Sequence, residues 1–124
     1  MSEEGVGMST MGRLRLVLVL LIVDWILGTP GLGIETRQGL ANDLIGWVYT
    51  LGFLALIGAL ALTWFRKRYA PPLAMAVGAL AVMLAILDAF GVTSGAPAPA
   101  PMLAVDGFGV VIGAAIVWAA RRAR

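Results

Sequence analysis

The sequence contains neither cysteine nor histidine among its 124 residues. The absence of cysteine excludes disulfide bonds, thiolate metal sites and thiol nucleophiles. The absence of histidine removes the commonest general base and the commonest metal ligand. We therefore expect no metal site and no cofactor in this protein.

Charged residues are also scarce, because they make up only 13% of the chain while 60% of its residues are hydrophobic. Soluble domains average about 25% charged residues, so this chain has too few to cover a surface that faces water. At 124 residues it is long enough for one domain at most. The composition predicts a single membrane domain over residues 1–124, with the lipid bilayer as its surroundings.

Four apolar segments are long enough to cross a bilayer, which takes about 20 helical residues. None alternates polar and apolar residues as a membrane β-strand does. The predicted fold class is therefore all-α: a polytopic integral membrane protein with four transmembrane helices in a small helical bundle. The predicted helices cover approximately residues 14–34, 44–65, 73–92 and 102–120. Alternating alanine and proline within 93–101 favour an extended external loop.

The second half of the first predicted helix contains residues that disturb helices, namely Gly28, Pro30 and Gly31. Proline removes a backbone donor and bends a helix, and glycine permits unwinding. Two interpretations stay open. The helix either ends near Leu27 and continues as an apolar turn, or it is broken within the membrane, where its freed carbonyl groups would line an ion site.

Basic residues mark one end of the predicted helices. All nine lysines and arginines except Arg37 precede helix 1, separate helices 2 and 3, or follow helix 4. Because basic loops stay in the cytoplasm, we expect both termini to be cytoplasmic in a multi-pass plasma membrane protein. Richness in alanine, glycine and arginine indicates a prokaryote. The basic residues are explained as membrane anchors, so we expect no nucleic-acid partner.

The most unusual residue is Asp24, a carboxylate inside the apolar run of helix 1. It follows Arg15 by nine residues, which places it about 14 Å deep in a hydrocarbon core about 30 Å thick. An uncompensated carboxylate at that depth costs about 2.5–3.5 kcal/mol. Asp24 therefore either packs and hydrogen-bonds against a neighbouring helix, binds a proton or cation in transport, or contacts a partner protein. The adjacent Trp25 projects about 100° away around the helix.

Further carboxylates are expected in the outer half of the bundle, where they would form an acidic cluster with Asp24. The candidate ion- or proton-binding residues are Asp24, Asp88, Asp106 and Asp43. Arg37 is the formal cation nearest to them, and so the candidate ion-pair partner. We expect no catalytic residue. A third possibility, an enzyme acting on a lipid, would need Asp43, Asp88 and Asp106 to converge near a lipid-accessible groove.

Small residues predict close helix packing. Helix 4 contains Gly109 and Gly113 at the four-residue spacing that lets two helix backbones approach each other. Helix 3 contains Ala74 and Gly78 at the same spacing. These faces are expected to pack within the four-helix bundle or, as an alternative, to form the seam of a homodimer.

The leading functional hypothesis is a small non-enzymatic integral membrane protein. It would be an accessory, packing or interaction subunit that forms a homo-oligomer or joins a larger membrane complex, since its polar segments are too short to form a catalytic domain. The alternative is a small proton- or cation-coupled transporter or channel that uses Asp24 together with Asp88.

Overall fold

The computed structural model of the chain describes residues 9–28, 43–92, 95 and 97–123. In these residues the chain forms four α-helices and one short 3-10 turn, without any strand. The helices are α1 (Thr10–Leu27), α2 (Asp43–Phe65), α3 (Ala70–Ala89) and α4 (Ala100–Ala123), and the 3-10 turn Lys67–Tyr69 joins α2 to α3. The predicted all-helical fold class is confirmed for this part of the chain.

Three helical segments of the described chain are long and apolar enough to cross a membrane: Asp43–Phe65, Lys67–Ala89 and Ala100–Ala123. This confirms the expectation of a membrane protein with transmembrane helices. The sequence predicted four such helices. The difference is α1, which has 18 residues and carries Arg13, Arg15 and Asp24 within that length.

α1 begins at Thr10, four residues before the predicted position, because Ser9 caps it. Ser9 has an extended backbone, and its hydroxyl accepts a hydrogen bond of 2.9 Å from the Gly12 N–H. Such a cap satisfies one of the free N–H groups of the first turn. At the other end α1 stops at Leu27, where the Gly28 N–H donates to the Asp24 carbonyl oxygen at 3.1 Å. Pro30 and Gly31 lie outside the described residues.

Prolines stand at the start of α3 and α4 rather than before them. α3 begins at Ala70, so Pro71 and Pro72 lie in its first turn, whereas the predicted helix began at residue 73. α4 begins at Ala100, which places Pro101 within the helix instead of the predicted loop. The first turn of a helix tolerates proline because its N–H groups have no partner within the helix.

α3 ends in a glycine motif that turns the chain towards α4. Gly91 has a φ of 89°, a left-handed conformation that glycine adopts without strain. Its N–H donates to the Asp88 carbonyl oxygen, and the Val92 N–H donates to the Leu87 carbonyl oxygen, each at 3.0 Å. This is the Schellman pattern of a helix end. The Ala98 N–H then donates to a carbonyl oxygen at the end of α3, so this part of the proline-rich connection lies against the helix.

α3 and α4 pack through glycine, with their backbones in direct contact. A Cβ built on Gly78 would lie 2.7 Å from the Gly113 carbonyl oxygen, and one built on Gly113 would lie 2.7 Å from the Gly78 carbonyl oxygen. Real Cβ atoms essentially never come that close. Ala74, one turn from Gly78, is fully buried. The small residues named from the sequence thus lie inside the chain's own packing.

α1 packs against α2 and α4, and α3 packs against α2 and α4. The buried side chains of α1 are Leu14, Leu18, Leu21 and Asp24, whose spacing of three to four residues places them on one helix face. The three leucines join residues of α2, α3 and α4 in one apolar core of leucine, alanine, valine and isoleucine.

α2 is the least enclosed of the three apolar spans. Only 17% of its most apolar window is buried inside the protein, against 44% for Lys67–Ala89 and 39% for α4. Beside this outward face, α2 and α3 border an apolar groove of about 300 Å³ lined by Leu51, Gly52 and Leu80 among others. Most of the surface of α2 therefore requires lipid or another protein to cover it.

Candidate functional site

Asp24 lies in the last turn of α1, on its buried face, and is only 7% exposed. The helix it faces is α4, because its carboxylate oxygen Oδ2 lies 3.1 Å from the point where a Cβ on Gly109 would stand. The absence of a side chain at Gly109 leaves the room that the carboxylate occupies. Asp24 is thus directed towards a neighbouring helix and away from the lipid-facing surface.

Asp88 and Asp106 are buried as well, at 6% and 8% exposure. The same point at Gly109 lies 3.2 Å from the Ala85 Cβ on α3. Asp88 follows Ala85 by three residues, so it lies about one turn nearer the end of α3. Asp106 precedes Gly109 by three residues, so it lies about one turn nearer the start of α4. Because α3 and α4 run in opposite directions, both carboxylates are displaced towards the same end of the protein.

The structure thus places a buried carboxylate on each of α1, α3 and α4 in the same part of the molecule. No group of three or more acidic, histidine or cysteine residues in the described chain is arranged to hold a metal ion. Proton exchange and weak cation contacts are chemistry that buried carboxylates can support without such a ligand set.

Asp43 does not share this environment. It is the first residue of α2 and is exposed, in the position where a carboxylate interacts favourably with the positive end of the helix dipole. Its exposure distinguishes it from the three buried acids with which the sequence grouped it. Arg37, the candidate ion-pair partner, lies outside the described residues.

Trp25 packs on a different side of the same helical turn. Its ring stacks on Phe53 with centroids 6.3 Å apart and meets Tyr49 edge-on at 6.2 Å. Gly52 leaves space for it, since a Cβ there would lie 3.2 Å from a Trp25 ring carbon. Asp24 and Trp25 therefore contact different helices, α4 and α2, as their separation of about 100° around α1 requires.

Arg15 forms a second polar contact between helices, which the sequence did not predict. Its Nε donates to the Thr63 hydroxyl at 3.1 Å and its Nη2 donates to the Thr63 carbonyl oxygen at 2.8 Å. The guanidinium also lies 4.6 Å from the centre of the Trp64 ring, a favourable cation–π distance. The Thr63 hydroxyl in turn donates to the Leu60 carbonyl oxygen. Arg15 looked like a flanking anchor because sequence position does not reveal which helix lies opposite.

Comparison of the chain with protein-family models, with curated proteins and with solved structures finds no significant match.

Proposed function

We propose that this protein is a small non-enzymatic integral membrane subunit that self-associates or joins a larger membrane complex. The observation that carries the proposal is the exposure of α2. Only 17% of the most apolar 18-residue stretch of this helix is buried within the chain. A transmembrane helix that packs so little against its own chain offers a large surface to other transmembrane helices.

The outward side chains of α2 form a regular stripe. Leu44, Trp47, Leu51 and Leu54 are between 59% and 72% exposed, at successive spacings of three, four and three residues. This spacing places them on one side of the helix and is the repeat by which two helices pack side by side. The stripe supports α2 as the surface of association.

We also propose that α1 is a fourth membrane crossing and that the helices form a four-helix bundle. Eighteen residues span about 27 Å, close to the hydrocarbon thickness of about 30 Å. Contacts with the other helices occur near both ends of α1, through Arg15 to Thr63 on α2 and through Asp24 to Gly109 on α4.

Four crossings would place both termini on one side of the membrane. The basic residues at that end support a cytoplasmic location of both termini. The richness of the chain in alanine, glycine and arginine supports the plasma membrane of a prokaryote. A fluorescent protein fused after Arg124 is expected to fluoresce, and a periplasmic reporter enzyme fused there is expected to be inactive. The reverse pattern would contradict this topology.

Self-association can be tested by disulfide crosslinking, because the chain contains no cysteine of its own. Leu54→Cys places one thiol on the α2 stripe, and Val111→Cys places one on α4. The control is matched: each residue is eleven positions from the start of its helix, and the two are exposed by 60% and 66%. We expect Leu54→Cys to form dimers in lipid bilayers under mild oxidation much faster than Val111→Cys.

The crosslinking should be repeated as the protein is diluted with lipid. Specific association predicts that Leu54→Cys still crosslinks faster than Val111→Cys at low protein density. Equal and slow crosslinking, falling together with dilution, would mean that the copies meet only by random collision and would contradict self-association through α2.

A second candidate function is a small proton- or cation-coupled transporter or channel. It is favoured by the burial of Asp24, Asp88 and Asp106 in apolar helices, since ionisable groups inside a membrane domain often serve ion pathways. Transport predicts that Asp24→Asn abolishes proton or sodium flux in proteoliposomes under an imposed gradient while the protein remains folded. Asp43→Asn, at the exposed start of α2, is the control and should retain flux. Absence of flux in the unsubstituted protein, or equal flux in Asp24→Asn, would contradict this function.

A further inference from the structure

Within the described part of the chain, Arg15 is held by Thr63 with fewer hydrogen bonds than its guanidinium can donate. A guanidinium has five N–H donors, and Thr63 receives two hydrogen bonds from it. The Trp64 ring, whose centre lies 4.6 Å from the guanidinium carbon, holds the group from another side. An arginine held in this way is suited to phosphate, because its planar set of donors matches phosphate oxygens without a further loss of side-chain freedom.

The residues next to this contact are positively charged. The last turn of α2, to which Arg15 is bound, leads directly to Arg66, Lys67 and Arg68, all of which are exposed. The acids of the described chain, Asp24, Asp43, Asp88 and Asp106, lie towards the opposite ends of their helices. We call the end of the protein that carries Arg15, Arg66, Lys67, Arg68 and Arg122 the basic end. Its described part presents these cations without an acidic residue among them.

Three guanidinium groups of the basic end stack on exposed aromatic rings. Besides Arg15 on Trp64, Arg68 lies over Tyr69 and Arg122 lies over Trp118, each 5.2 Å from the ring centre. Trp and Tyr side chains on transmembrane helices favour the depth of the lipid headgroups. Stacking therefore holds these guanidinium groups at the depth where lipid phosphates lie.

We propose that the basic end binds the phosphate of an anionic phospholipid. Arg15 is the positioned donor, and Arg66, Lys67 and Arg68 supply the surrounding positive charge. An anionic headgroup is favoured over a zwitterionic one because a choline group would add another cation to a region that already has several. A lipid is favoured over free phosphate because Trp64 and Phe65, both exposed, provide an apolar surface beside the cations for the glycerol and acyl part.

The proposal is tested with the full chain in neutral detergent, by native mass spectrometry and by titration. The probes are short-chain phosphatidylglycerol, phosphatidylcholine of the same chain length, and inorganic phosphate. We expect phosphatidylglycerol to bind at least tenfold more tightly than the other two and to weaken as salt is raised, since exposed charges are screened. Equal binding of the two lipids would overturn the proposal, and equal binding of inorganic phosphate would assign the site to free phosphate instead.

Substitution of the exposed cations separates lipid binding from folding. Each lysine or arginine near a membrane surface contributes about 1 kcal/mol to binding of anionic lipid, or about fivefold in affinity. The triple variant Arg66→Gln, Lys67→Gln, Arg68→Gln is therefore expected to bind phosphatidylglycerol about a hundredfold more weakly. Ala100→Glu, which lowers the net charge at the opposite end, should bind as the unsubstituted chain does. An unchanged affinity in the triple variant would overturn the proposal.

Arg15 is examined with Arg15→Lys, which keeps the charge but loses the planar set of donors. We expect weaker binding of phosphatidylglycerol together with a reduced preference over phosphatidylcholine. A purely structural role predicts instead a lower melting temperature without lipid and an unchanged lipid preference. That outcome would remove Arg15 from the site. If Arg15→Lys fails to fold, the exposed triple variant still decides the proposal.

Discussion

Replacement of Gly113 by alanine should force α3 and α4 apart. The added Cβ would lie 2.7 Å from the Gly78 carbonyl oxygen, 2.9 Å from a Val82 methyl carbon and 3.2 Å from the Val82 backbone nitrogen. A side chain can rotate away from such a contact, but the two backbone atoms belong to α3 itself. The clash is relieved only when the helices separate.

The cost follows from the distance that must be gained. Ordinary carbon contacts lie at about 3.5–4.0 Å, so α3 and α4 must separate locally by about 0.8 Å or more. Introducing a methyl group into a packed interior typically costs about 1–3 kcal/mol. The upper part of this range is expected here, about 2–3 kcal/mol, because backbone atoms form the obstacle.

The free energy of unfolding is measured by titrating the protein in mixed micelles with a denaturing detergent and following helix content. The control is Gly107→Ala on the same helix, where an added Cβ meets nothing within 4 Å. This control should be neutral or slightly stabilising, since alanine favours a helix over glycine by up to about 1 kcal/mol. Equal unfolding free energies for the two variants would refute the close backbone contact between α3 and α4.

Three smaller effects are also expected. Gly52→Ala should cost about 1 kcal/mol, the lower end of the range for overpacking, because the added Cβ meets side chains rather than backbone atoms. It should also shift the fluorescence of Trp25, whose ring it would touch at 3.2 Å; unchanged fluorescence would contradict that contact. Ser9→Ala should cost about 1 kcal/mol through loss of the N-cap and should speed hydrogen exchange in the first turn of α1 but not in its last turn. Thr63→Val should cost about 1 kcal/mol, because the Nε of Arg15 loses its acceptor at 3.1 Å, and an unfolding free energy equal to that of the unsubstituted chain would contradict the bond.

The helical class could be predicted from composition, because a chain this apolar must satisfy its backbone groups internally. Which face of each helix packs inside the protein could not be predicted. α2 and α3 are apolar all the way round, so a residue that faces the interior and one that faces lipid have the same chemistry. Their periodicity therefore does not tell which side of α2 packs and which remains outside. The exceptions are polar residues such as Thr63 and Asp88, both of which lie inside.

The sequence contains residues typical of helix ends, but the helix limits were predicted from the apolar segments alone. Ser9 is a favoured N-cap residue placed just before a helix. Gly91 is the glycine expected just beyond a helix end, and it ends α3 before residue 92. The contact between Arg15 and Thr63 had no such signal, because it joins residues 48 positions apart. Local chemistry fixes helix ends, while contacts between helices depend on which faces meet.

The pair Gly109 and Gly113 explains why the helix that Asp24 faces could not be predicted from the sequence. Both belong to one spacing motif, yet they meet different neighbours. Gly113 admits the backbone of α3, whereas Gly109 leaves room for the carboxylate of Asp24 and faces the Ala85 side chain of α3. The motif specifies small residues but not what fills the space beside them. Helix packing and the position of the buried acid therefore depend on each other in this protein. Gly109 shapes the surface of α4 and also determines where Asp24 can lie.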